Sequence, residues 1–387
     1  MNKKVLIYEG MPGHGECLSS YYAYFKELGY DIDFVIRENV ANEKPLWMLN
    51  DVKIYSITST SNARYARMLP HLNEIKQKIP SLFEYDLYFI GTFNQDGYNF
   101  VRFLSEHGIG KNKILFQHHL NYKTFLKQSM NDIALGQNGF TLGMADHDHF
   151  PQLAASINIT KKSHKKQNKN LNKITIFFAG LSHIHFKNFE LFVKAVDELN
   201  RDGKDIKVNV CGIREQKNYV LPVSPNINYL GRISFEESIE HYCNDDFIFV
   251  LFDEKALDCL DEHHMFLDGR ISGSRNMSIM YKIPLVVQKP YQQSWGFDDT
   301  NSIGYEGHDY KKVLLDLCDV NKIKYNSIID NLCIKEKEEF KLCVNNLKNK
   351  IESLKTNTYD NTIGSNFISS RSITKINHRK KRDFIHY

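Results

Sequence analysis

No apolar run in the chain is long enough to cross a bilayer. The longest, Phe247 to Phe252, falls far short of the roughly 20 residues that a spanning helix needs. The run that follows Met1-Asn2-Lys3-Lys4 is too short for a secretory signal. The seven cysteines (Cys17, Cys211, Cys243, Cys259, Cys318, Cys333 and Cys343) are odd in number, and no two stand at CxxC spacing. A disulfide framework and a cysteine zinc site are therefore not expected, and a reducing compartment fits. The expected location is cytoplasmic, with at most peripheral contact on the inner face of the cytoplasmic membrane. Excess charge of one sign is missing too: 50 Lys and Arg stand against 46 Asp and Glu, net +4. That balance gives no footing for a nucleic-acid partner. No segment of about 20 to 50 residues recurs.

What is present suits a soluble globular protein, with hydrophobic residues at 42% and charged residues at 25%. At 387 residues, two domains of roughly 150 residues are expected. Val5 to Tyr8 reads as a buried strand, because a glycine-rich loop follows at once. Leu18, Tyr21, Tyr22, Phe25 and Leu28 lie at helical spacing, and Gly29 is placed to end that helix. Ile32, Phe34 and Ile36 mark a second strand. Leu87 to Ile90 and Ile114 to Phe116 mark two more, with the helical pattern Phe100, Val101, Leu104 between them. Such alternation implies a parallel sheet with helices on both faces, which binds its ligands at the carboxyl ends of the strands.

A lysine- and asparagine-rich stretch, 161–172, reads as an exposed linker. The rhythm then restarts. Strands are expected at Ile174 to Phe178, Val208 to Cys211, Ile227 to Leu230, Phe247 to Phe252 and Leu285 to Val287. Helices are expected at Phe189 to Leu199, Phe235 to Tyr242, Arg275 to Tyr281, Lys311 to Leu317 and Ile328 to Leu354. The expected division is a first domain over 1–160, the linker, a second domain over 173–320, and a helical segment with a polar basic tail over 321–387.

Four stretches of the second half carry a resemblance. Asn226 to Tyr242 combines a strand, a Gly-Arg turn, a serine cap and an acidic helix start. Phe247 to Phe252 follows as a buried strand. Gly273 to Val287 reads as a helix leading through Ile283-Pro284 into a Leu-Val-Val strand, and Ala179-Gly180 through Lys187-Asn188 forms a further turn. In this order they resemble glycosyltransferases of the GT-B fold, in particular the family 4-like, group 1 type. The resemblance covers about residues 173 to 320; the first half shares only the fold rhythm. It implies two Rossmann-like domains facing across a cleft, with the donor in the second domain and a C-terminal helix returning to the first. It further implies a nucleotide sugar as donor and a glycan or lipid-linked acceptor in bacterial surface polysaccharide (lipopolysaccharide or capsule) synthesis, with no metal or other cofactor. Many retaining members carry two glutamates near the donor helix; Asp268, Ser272, Ser274 and Arg275 stand in that region here.

Sugar transfer from a nucleoside diphosphate needs a stabilised leaving diphosphate and an oriented acceptor hydroxyl. Gly180 and Lys187 sit at a strand-to-helix turn where an ammonium can meet a phosphate. Arg232, after Gly231, can do the same, or pair with Glu236 or Glu237. Ser274, Arg275 and Asn276 open the donor helix, where backbone N–H groups favour a phosphate; a serine there is also an ordinary N-cap. In the first half, Gly10-Met-Pro-Gly-His-Gly-Glu16 lacks GxGxxG spacing and is a poor dinucleotide fingerprint. His14 in that loop, and His118 or His119 at a strand end, are candidates to orient or deprotonate an acceptor hydroxyl; the alternative reading of the last pair is one buried, satisfied histidine. Asp146-His147-Asp148-His149 does not read as a metal site, since four consecutive residues cannot converge on one ion. Arg379 to Arg382, beside Phe384 and Ile385, can dock on anionic lipid or remain a solvated tail. Two alternatives stand beside the transferase: a nucleotide-sugar epimerase on the same scaffold, and a non-catalytic nucleotide- or glycan-binding partner.

Overall fold

The computed structural model describes residues 3–11, 14–43, 49, 51–58, 64–118, 138–142, 151–160, 162–164, 173–179, 186–212, 220–251 and 273–356. They divide into two compact units. The first holds the residues up to Thr141 with 151–153 and 344–356; the second holds Leu142 and 154–343.

The first unit contains β1 (Lys3–Glu9), α1 (Gly15–Glu27), β2 (Tyr30–Arg37), α2 (Glu38–Asn42), β3 (Lys53–Ile57), α3 (Tyr65–Lys78), β4 (Leu87–Ile90), α4 (Gln95–Glu106), β5 (Ile114–His118) and β6 (Gly139–Thr141). The strand order is β3-β2-β1-β4-β5-β6, and every neighbouring pair is parallel. Strands covered on both faces must be apolar along their length. Accordingly Val5, Leu6, Ile7 and Tyr8 are all fully buried, as is the β4 stretch Tyr88, Phe89 and Ile90. Tyr8 stacks on Phe100 of α4, with ring centroids 4.3 Å apart. Phe89 meets Tyr21 and Phe25 of α1 edge-on at 5.0 and 5.4 Å.

The second unit repeats the plan. It contains β7 (Ile174–Phe178), α5 (Phe186–Arg201), β8 (Ile206–Cys211), β9 (Ile227–Gly231), α6 (Phe235–Asn244), β10 (Phe247–Phe249), α7 (Gly273–Tyr281), β11 (Leu285–Gln288), α8 (Lys289–Ser294), β12 (Ile303–Tyr305) and α9 (Tyr310–Cys318). The order is β12-β11-β10-β7-β8-β9, again all parallel. In both sheets the first strand is central, the next two extend to one side and the last three to the other. That is the Rossmann-like winding, and it puts the carboxyl ends of all six strands on one edge of each sheet. α10 (Lys322–Thr356) begins where the Asn321 side chain accepts the Lys324 N–H at 2.9 Å. Its residues to Cys343 count with the second unit and those from Val344 with the first, where Asn346 Nδ2 donates to the Gln152 carbonyl at 2.8 Å.

The structure adds elements that the pattern did not reveal. β3 is an edge strand with little burial, so its apolar alternation is weak. α3 carries Pro70 in its second turn, a residue that ordinarily argues against a helix. β10 ends at Phe249, short of the strand expected through Phe252. The expected linker is partly built into the second unit: Lys162 pairs with Glu240 at 2.5 Å, and His164 is buried. No helix among the described residues is long and apolar enough to cross a membrane.

His164 Nε2 lies 2.6 Å from the Tyr325 hydroxyl, which donates to the Asp246 carbonyl at 2.7 Å. Burial pushes the His164 imidazole down to about 4 from an ordinary 6.5. The unfolded chain therefore binds the extra proton first, and this histidine's contribution is complete above pH 6.5 and lost as pH falls towards 4. In His164→Gln, the Tm deficit relative to wild type should be largest near pH 7 and should shrink as pH is lowered to 4, as followed by thermal denaturation.

Candidate functional site

A sheet apolar on both faces leaves its polar chemistry to the strand ends, and the first unit concentrates it there. β1 ends in Glu9, which is fully buried. Its Oε1 accepts the Met11 N–H at 2.8 Å, and its Oε2 accepts the Thr92 hydroxyl at 3.0 Å. Thr92, also fully buried, follows β4. The same Thr92 Oγ1 lies 2.8 Å from Nδ1 of His14, the half-buried residue immediately before α1. Glu9, Thr92 and His14 thus form one hydrogen-bonded chain drawn from three segments. Gly91 is what admits the carboxylate: a Cβ there would lie 2.4 Å from Glu9 Oε2. Burial raises the Glu9 carboxyl to about 8, although the Met11 N–H and the Thr92 hydroxyl both favour its charged form.

The neighbouring strands add a second polar layer. Tyr21 of α1 donates to the Gln117 side chain, and Gln117 Nε2 donates to the Leu153 carbonyl at 2.5 Å. His118 ends β5 and is fully buried. Arg37, the last residue of β2, forms a buried ion pair with Asp96 in the first turn of α4. Asn94 caps that helix, accepting from the Asp96 and Gly97 N–H groups at 3.0 Å each.

In the second unit, Gly231 takes a left-handed φ of 65° at the end of β9, and the exposed Arg232 follows it. Ser234 then opens α6 with a capping box: its side chain accepts the Glu237 N–H at 3.1 Å, and the Glu237 carboxylate accepts the Ser234 N–H at 2.7 Å. Ser274, Arg275 and Asn276 lie in the first turn of α7, all buried. Arg275 is wholly engaged there. Nη1 donates to Glu339 Oε2 at 2.9 Å, Nη2 donates to Glu339 Oε1, Nε donates to the Trp295 carbonyl at 3.3 Å, and the guanidinium lies over the Phe297 ring at 5.6 Å. The role expected for Arg275 as a direct phosphate ligand thus meets a guanidinium already committed to a carboxylate; in this arrangement it fixes the helix. Burial opposes charge on Glu339, but Arg275, Ser156 and Lys335 together hold its carboxyl below the usual range. At the other end of α7, Lys282 Nζ bonds Glu336 at 2.6 Å. Two glutamates of α10, three residues apart, therefore clamp both ends of α7.

Lys187 is the second residue of α5, and its side chain lies outside the described residues. Gly180, His119, Ser272, Asp268, 146–149 and 379–382 also lie outside them. The structure joins His14 to Thr92 and Glu9, partners that sequence reasoning passed over. The available signal was positional: a charged residue directly closing an apolar strand (Glu9), and a Gly-Thr pair directly after another (Gly91-Thr92).

Compared with known families and with curated proteins, the sequence matches none. Solved structures do match. The HepE protein of Anabaena, solved with UDP and glucose, superposes with a TM-score of 0.57 at 11% identity over 92% of this chain and 100% of that one. An alpha-glucosyltransferase in complex with UDP and a 13-mer DNA containing an HMU base gives 0.58 at 9% identity, over 91% and 100%. A UDP-N-acetylglucosamine 2-epimerase gives 0.50 at 10% identity, over 85% and 91%. With two six-stranded parallel sheets of Rossmann-like winding in one chain, the fold is GT-B.

Removing one partner of a buried ion pair leaves the other charge stranded, at a cost of about 3–5 kcal/mol. Glu339→Gln should lose stability of that order in chemical denaturation, whereas Glu306→Gln, which breaks the exposed Lys289 pair, should leave it nearly unchanged.

Proposed function

We propose that this protein is a glycosyltransferase that moves a hexose from a nucleotide sugar to a glycan or lipid-linked acceptor. The observation that carries the reading is the His14–Thr92–Glu9 chain, set at the strand ends of a Rossmann-like unit within a GT-B fold. Solved proteins of similar fold hold UDP, which supports a nucleoside diphosphate as leaving group. A histidine so oriented can take the acceptor hydroxyl's proton as the glycosidic bond forms. His118 lines the same strand-end layer and is assigned to positioning a sugar hydroxyl, with His119 beside it.

Gly180 and Lys187, at the turn from β7 into α5, are assigned to the diphosphate, with Arg232 and the α7 start at Ser274 and Asn276 as further donor contacts. Helix N-termini and basic side chains suit a diphosphate without a metal, so no metal is assigned. Arg275 holds α7 in place for this task. Synthesis of a bacterial surface polysaccharide, with the Arg379–Arg382 run near anionic lipid, is the proposed setting. The epimerase likeness favours one rival reading, which predicts conversion of a donor with no acceptor present.

The test is a thermal-shift screen against UDP-, GDP-, dTDP-, ADP- and CMP-sugars, followed by product analysis. A donor at a hundred times its Kd should add about 2.7 kcal/mol of stability, and Lys187→Ala should lose most of that gain. Sugar transferred to an acceptor supports the proposal; a new sugar nucleotide formed without acceptor supports the epimerase; binding with no turnover of either kind overturns both.

A further inference from the structure

The chain from Glu9 to His14 has a direction, and the direction decides what His14 can do. With Glu9 ionised, its Oε2 accepts the Thr92 hydroxyl. The Thr92 proton is then spent on the carboxylate, so Thr92 Oγ1 can only accept from His14, 2.8 Å away. His14 must carry its proton on Nδ1, and Nε2 bears the lone pair. With Glu9 protonated, the order reverses. Oε1 already accepts the Met11 N–H, so the acid proton sits on Oε2, facing Thr92. The carboxylic acid now donates to Thr92 Oγ1, Thr92 turns its proton to His14 Nδ1, and the ring proton resides on Nε2. One solvent proton added to Glu9 thus converts Nε2 from an acceptor into a donor. A hydroxyl is suited to this relay, because it donates once and accepts at either lone pair.

We propose that Glu9, acting through the Thr92 hydroxyl, sets the ring tautomer of His14 and so determines whether its Nε2 can accept a proton. Glu9 is a positioning residue in this scheme and touches no substrate. The proposal rests on the assignment of His14 as base. The surroundings keep Glu9 close to its switching point. Burial drives its carboxyl up to about 8. The titratable and charged groups that face it are Tyr8 beside it on β1, Glu16, Cys17 and Tyr21 from α1, Arg37 from the end of β2 and, through that arginine, Asp96 from the start of α4. Directly after β4, Gly91 and the neutral Thr92 stand against it.

The deciding experiment is nitrogen NMR of protein labelled with 15N-histidine, with the His14 signals assigned by their loss in His14→Gln. In wild type, His14 should show the Nδ1–H tautomer above pH 9 and pass to the Nε2–H form as pH falls through about 8. Glu9→Gln should hold the Nε2–H form throughout, because its amide oxygen must face Met11 and its NH2 must face Thr92. Assayed above pH 9, where wild-type Glu9 is ionised, that variant should also lose about 100-fold or more in kcat/KM. Thr92→Val should abolish the pH-linked change, and Thr92→Ser should restore it. A His14 tautomer indifferent to pH in wild type and to Glu9→Gln would overturn the proposal, whatever the activity. The predicted tautomer changes in a protein with no transferase activity would uphold this relay while refuting the assigned function.

Discussion

Each sheet is covered by helices on both faces, and this constraint governs the rest of the molecule. A strand with two buried faces has no place for a charge along its length, so the polar groups collect where strands end. β1 is apolar from Val5 to Tyr8 and closes with Glu9; β2 is largely apolar and closes with Arg37; β5 closes with Gln117 and His118. Parallel winding puts all those ends on one edge. Residues distant in sequence, such as Glu9 and Thr92, therefore meet without any loop having to reach across the unit.

Buried charge is handled in two ways. Arg275 and Glu339 are fully compensated: two charge-assisted hydrogen bonds join them, and further donors and acceptors fill the remaining valences. Such a pair adds little over a well-packed apolar contact, but losing half of it is expensive. Its consequence is geometric. With Lys282 on Glu336 at the far end, it leaves α7 one seat on α10 and determines where the helix N-terminus points. Lys282 adopts a left-handed φ of 63° to reach that carboxylate, a conformation that costs a non-glycine residue about 1–2 kcal/mol. The salt bridge and the following Ile283-Pro284 turn hold it there.

The sequence was most informative where periodicity and caps agree. The strands at the sheet centres, the α1 pattern ending at Gly29 and the Ser234 cap of α6 are all legible, because each is determined by neighbours within a few residues. β3 and α3 were not, since an edge strand has weak alternation and a helix containing Pro70 breaks the local rule. The site was half legible. His14 and His118 follow from the rule that ligands meet strand ends, but their partners do not, because a contact between Glu9 and Thr92 spans 83 residues and leaves no local trace. Arg275 was visible as a charge at a helix start, and its engagement was not, because Glu339 lies 64 residues away on α10.

The two polar clusters differ in what a proton does to them. At Arg275 the guanidinium keeps its charge at any relevant pH, so the pair has one state and serves as a fixed support. At Glu9 the hydrogen-bonding groups are the Met11 N–H and the neutral hydroxyl of Thr92, and Arg37, whose charge favours the ionised carboxyl, is itself paired with Asp96. The carboxyl is therefore left with two accessible protonation states of comparable free energy near pH 8. A fully compensated carboxylate beside His14 would hold the ring more firmly but would lack a second state. Because Arg37 pairs with Asp96 rather than bonding Glu9 directly, its charge favours the ionised carboxyl without fixing it, and in the proposed relay a single proton can then reverse the chain's direction.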